Sequence, residues 1–240
     1  MKKLIIASAC VLAIAGSAFA QGNVNWNVLS AAGYTSQSNS TVYSTFSPAN
    51  AGQSISGGAV GATGGSAFLG TGYYYELLIG SVNNSGVLPS APTTLAGLSG
   101  WADSGLEATN SNTAGRITPI NGNAGATVSQ MSATSSNNII LVGWSANLGT
   151  TWSAALGNLT TGSGWTGTAF FGVSNVGDLE ALSTSTSPGS TVFANSATAQ
   201  GIPIFSLNTQ LNEIAPVPEP ATMALAALGG ASLLLFRRRK

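Results

Sequence analysis

The apolar residues of this 240-residue chain come in short runs of strand-forming residues, each closed off by glycine, asparagine or serine. That spacing leaves little besides a β domain to fold into. Val24, Trp26 and Val28 alternate with Asn23, Asn25 and Asn27, the period of two that sets one side of a strand against a core. Thr41 to Phe46 is β-branched and aromatic, a second strand. Tyr73 to Ile79 is the strongest. Tyr73, Tyr75, Leu77 and Ile79 share one face, while Tyr74 and Leu78 flank Glu76 on the other, so the strand is expected in the middle of a sheet. Ile139 to Trp144 reads as a buried strand. Thr168 to Val173, Thr191 to Phe193 and Ile202 to Leu207 add more, the last at an edge because Pro203 has no N–H to offer.

The intervening stretches are turn-rich. Pro48 to Gly65 reads as a long loop or a loosely paired hairpin, and Asn83 to Pro92 as turns. Leu95 to Glu107 fits a short helix or a loop carrying Trp101. Ile117 to Val128 holds Asn121-Gly122, a two-residue hairpin signal. Thr150 or Thr151 can cap a helix in which Trp152, Ala155, Leu156 and Leu159 fall at helical spacing. The fold class that follows is mainly β, an antiparallel β-sandwich with Gly/Ser/Asn-rich loops. A parallel β-helix is the alternative, but no repeat of constant period is visible.

The two ends obey different rules. Met1-Lys2-Lys3, the apolar stretch Leu4 to Ala15 and the small-x-small pattern Ala18-Phe19-Ala20 read as a signal peptide over residues 1–20, cleaved ahead of Gln21. At the other end, Ala221 to Phe236 is an apolar run of 16 residues. As a helix it spans about 24 Å, against a bilayer core of about 30 Å, a gap that snorkelling arginines and local thinning close. Gly229-Gly230 in its middle permits close helix contact in lipid. Arg237, Arg238, Arg239 and Lys240 form a basic stop that belongs on the cytoplasmic side. Ahead of the run, Pro216, Pro218 and Pro220 each fix a φ angle and remove a donor, which makes Val217-Pro218-Glu219-Pro220 an extended arm. The expected organisation is a signal helix over 1–20, an exported β-rich domain over 21–212, a Pro-rich linker over 213–220, a membrane helix over 221–236 and a basic cluster over 237–240.

The motif Val217 to Pro220, the short apolar run and the Arg-rich end together resemble the PEP-CTERM sorting signal of Gram-negative bacteria. The N-terminal segment implies a chain exported through signal peptidase and the secretion machinery, to which the resemblance adds its own expectations. The resemblance implies transient anchoring in the inner membrane, recognition of Pro218, Glu219 and Pro220 by an exosortase, and delivery to the cell surface or extracellular polysaccharide.

Composition narrows the chemistry of the body. Six acids against Arg116 alone give Gln21 to Val217 a net charge of −5. Nucleic-acid binding needs the opposite sign. The chain has no histidine and its single cysteine, Cys10, lies in the signal peptide. Ser-His-Asp, Cys-His and Ser-Lys sites cannot be built, nor can thiolate metal sites. No cofactor is implied. Paired carboxylates remain: Asp103 with Glu107 would share a helix face, and Asp178 with Glu180 a strand face. Either pair could act as acid and base on a glycan or help ligate calcium, against the plainer reading of solvated surface acids. Gly70-Thr71-Gly72 lacks the rest of a nucleotide loop and reads as a turn. The tryptophans fit a core better than a sugar-stacking platform. The expected function is a non-enzymatic surface or matrix protein, structural or adhesive in exopolysaccharide or biofilm. A carbohydrate-binding module with exposed aromatics and a carboxylate-only glycan hydrolase are the alternatives.

Overall fold

A computed structural model describes residues 21–26, 35–63, 72–83, 85–121, 126–132, 135–181, 190–193, 201–202, 204 and 209–215. The strands are β1 (Gln21–Asn25), β2 (Ser36–Tyr43), β3 (Val60–Ala62), β4 (Tyr73–Val82), β5 (Ala102–Asn110), β6 (Ile117–Pro119) and β7 (Ala126–Ser132). They continue with β8 (Ser136–Ser145), β9 (Ala169–Val173), β10 (Gly177–Glu180), β11 (Ser190–Thr191), β12 (Gly201–Ile202) and β13 (Thr209–Ile214). A helix α1 (Trp152–Thr161) and two short 3-10 turns, Ala96–Gly100 and Ala146–Leu148, complete the described elements.

Ten strands make one curled sheet in the order β3-β2-β13-β9-β8-β4-β5-β6, with β10 on β8 and β12 on β10. A small sheet has the order β11-β1-β7. The mainly-β expectation holds, but the arrangement differs from two antiparallel sheets of similar size. β13 runs parallel to β2, and β1 runs parallel to β11. β4 lies between β5 and β8, as its two apolar faces require.

Apolar residues on both faces of the large sheet give the domain two cores. On one face Tyr75, Leu77, Ile79, Ile139, Leu141 and Leu106 meet Val24, Trp26, Val128 and Phe193 from the small sheet and its surroundings. On the other face Leu78, Ile140, Val142, Trp144 and Phe171 are covered by α1, Phe46, Leu98 and the half-buried Leu88, Leu95 and Trp101. The helix forms where its caps are. Thr151 accepts from the Ala154 N–H, and Gly162 ends it in the left-handed region at φ 68°. Trp152, Ala155 and Leu159 are its buried stripe.

Four local expectations change. Leu95 to Glu107 resolves into the 3-10 turn and the first half of β5, because Leu106 and Ala108 alternate into the core. The Thr41 to Phe46 strand starts earlier and stops at Tyr43, with Phe46 buried in the following turn. Among the described residues β6 and β7 do not pair with each other: β6 joins β5 and β7 joins β1, and Gly122 of the expected hairpin turn lies outside them. β13 extends to Ile214, placing Glu213 and Ile214 in a central strand rather than in the linker.

Candidate functional site

Five of the six body acids share one face of the large sheet. On β5, Glu107 lies opposite Glu76 and Asp103 lies opposite Leu78. The extra β5 residues between these pairs form a bulge, with Gly105 in the left-handed region at φ 73°. Asn121 clamps it, donating to the Gly105 carbonyl at 2.8 Å and accepting from the Glu107 N–H at 2.8 Å. Asp103 Oδ1 accepts from the Gly105 N–H at 2.7 Å. Asp103 and Glu107 therefore do share a face, but of a bulged strand and not of a helix.

Glu76 is the residue that the sequence does not single out. It is 1 % exposed, and neither carboxyl oxygen has an aligned donor among the described residues. Burial raises its pKa most; the carboxyl of Asp103 beside it and the charges of Asp103 and Glu107 push further, while the Gly105 backbone draws it down. The result is about 9, so at neutral pH Glu76 holds its proton and can donate it to Asp103. A sealed carboxyl of this kind stores a proton; it has no surface with which to meet a glycan. Among the described residues no three acidic side chains are grouped to hold a metal ion by themselves.

The second acidic pair stands on the same face, along β8. Asp178 lies opposite Asn138 and Glu180 opposite Ser136. Asp178 is buried, and its Oδ2 accepts from Asn83 at 3.4 Å. Burial raises its pKa, opposed by a bond from Ser136 and reinforced by the charge of Glu180. Its Oδ1 and the Asn138 Oδ1 are buried without a donor among the described residues. Nearby, Trp101 lies over Gly80, where a Cβ would fall 2.8 Å from the indole. The ring borders a cavity of about 450 Å³ that includes Ser81, Pro89, Pro92 and Asn138. Trp26, Trp144 and Trp152 are core, and Trp101 and Trp165 are half-buried.

The body ends at a clamp. The Ala215 N–H donates to Ser47 Oγ at 2.9 Å, the Ser47 hydroxyl donates to the Ala49 carbonyl at 2.5 Å with the Ala215 carbonyl farther off at 3.3 Å, and Ala49 bridges Ala215. Gln21, the expected first residue after signal cleavage, opens β1 directly. Ala18, Ala20, Val217 to Pro220, the apolar run over 221–236 and Arg237 to Lys240 lie outside the described residues. No described helix is long and apolar enough to cross a membrane. Neither the curated proteins nor the solved structures contain a match to this chain. Residues 216–240, starting at the residue after the clamp, match the family model of the PEP-CTERM protein-sorting motif. The chain thus carries a signal for export, membrane-anchored transit and processing by an exosortase.

Proposed function

We propose that the protein is a non-enzymatic component of the cell surface or extracellular polysaccharide matrix of a Gram-negative bacterium, where it acts structurally or adhesively. The observation that carries this reading is the sorting motif at residues 216–240 on a body without histidine or cysteine. A body held together by amides, hydroxyls and two apolar cores suits a hydrated polymer environment. Its net negative charge favours neutral glycans over anionic ones. Replacing Pro218-Glu219-Pro220 with alanines is expected to leave the protein in the inner membrane at its unprocessed mass. Normal processing of that variant would defeat the sorting reading. The matrix role is tested by deleting the protein and measuring retained exopolysaccharide; unchanged retention and adhesion refute it.

One observation supports a second reading, a carbohydrate-binding module. Trp101 is half-buried beside the cavity that contains Ser81 and Asn138, a pairing of aromatic face and amide that suits a pyranose ring. A glycan array comparing the protein with Trp101→Ala decides it, and silence of both ends the reading.

A further inference from the structure

The sorting signal follows the folded body with almost no tether. β13 is hydrogen-bonded on both sides, to β2 and β9, and its Leu211 and Ile214 are buried in the two cores. Ala215 is 3 % exposed and held by Ser47 and Ala49. Pro218 opens the Pro-Glu-Pro motif three residues later. Three residues of fully extended chain reach about 11 Å at most. An enzyme gripping Pro218 to Pro220 therefore works within about 11 Å of a packed domain at Pro218, and about 18 Å at Pro220, unless the central strand of the sheet is pulled out.

The surface beside Ala215 is the turn from Ser44 to Gln53. Thr45, Pro48 and Asn50 to Gln53 are exposed there, and the turn contains no charged residue. The carboxyls of Asp103 and Asp178 lie toward the other end of the strands. Glu213, Phe170, Ser145 and Tyr73 run in one line across the sheet, whereas Val82 pairs with Asn137, eight residues further along β8. Eight residues of strand span roughly 27 Å. The end of the sheet closest to the bilayer and its embedded enzyme thus carries Glu213 beside an uncharged turn, while Asp103 and Asp178 stand toward the far end.

We propose that the short tether holds the body against the membrane-embedded processing enzyme with the Ser44 to Gln53 turn facing it, the fold itself setting the distance to the motif. The inference rests on the tail being an exosortase signal.

The test uses the full chain in cells that carry the processing enzyme, with a photo-crosslinking residue at Ala51 or, as a distant control, at Val87, which is 72 % exposed. Ala51 is expected to capture the enzyme at least about fivefold more than Val87, on the span worked above. A ten-residue Gly/Ser insertion between Ala215 and Pro216 should reduce the Ala51 adduct to the Val87 level while the tail is still removed, since it adds about 35 Å of reach. Equal capture from the two positions at native spacing overturns this placement, as does an Ala51 adduct that survives the insertion undiminished. Normal tail removal from the Pro218-Glu219-Pro220→Ala chain would instead remove the sorting reading beneath it.

Discussion

Glu76→Gln tests the buried proton directly. Glutamine keeps the size and most of the hydrogen-bonding capacity of a neutral glutamic acid but cannot ionise. With a pKa of about 9 in the folded protein against an ordinary value of 4.5, the folded state binds a proton that the unfolded chain releases. The protein is therefore most stable, as far as this group is concerned, below pH 4.5. It loses stability as pH rises and levels off above about 9. Each pH unit in that window is worth about 1.4 kcal/mol, so near pH 7 the loss is about 3 kcal/mol. For a domain of this size that is on the order of 10 °C in Tm. Asp103 and Glu107 are the charged groups facing Glu76, and their repulsion is already part of its shift. Asp178 and Glu213 are raised as well and add a residual slope of the same sign. Urea melts at pH 5, 6, 7 and 8 should show wild-type stability falling steeply and Glu76→Gln falling much less, so that the variant is the more stable protein at pH 8. Parallel curves for the two proteins would refute the buried neutral carboxyl.

Two further substitutions probe the frame. Gly172→Ala places a Cβ on the Gln210 carbonyl of β13, where backbone on both sides leaves nothing flexible to give way. It should cost about 3 kcal/mol and expose β13 to proteolysis, whereas a urea midpoint within error of wild type would show that the strands can shift apart. Thr151→Ala removes the cap on the Ala154 N–H and should cost about 1 kcal/mol without changing the pH slope, measured by thermal melts at two pH values.

The sequence carries the strands whose pattern is local and hides those whose pattern is set by partners. β4 and β8 are legible because their apolar runs mark burial on both faces, and α1 because cap, stripe and terminal glycine agree. β13 reads Thr-Gln-Leu-Asn-Glu-Ile, a polar stretch with no strand pattern, and its last two residues look like linker. Only Thr209, Leu211 and Ile214 are buried, and its place between β2 and β9 comes from long-range pairing that no local composition encodes. Asp103 and Glu107 are visible as a pair, but not their neighbour across the ladder. Glu76 becomes significant only once the Gly105 bulge sets β5 against β4. A lone acid in an otherwise apolar strand is the one local sign of it. The C-terminal sorting signal is the opposite case: its charge, apolar length and proline positions are legible without any tertiary partner.

The position of β13 also sets a schedule. Its pairing with β2 joins Thr209 to Ser36, close to the largest sequence separation the domain allows, and contacts of that range form slowly. A chain exported from its N-terminus delivers this strand last, so β2 and β9 wait with their facing edges open until it arrives. A product that stops short of Thr209 is then not a slightly smaller domain. It is a split sheet with two adhesive edges, and its fate is association with other such chains or destruction.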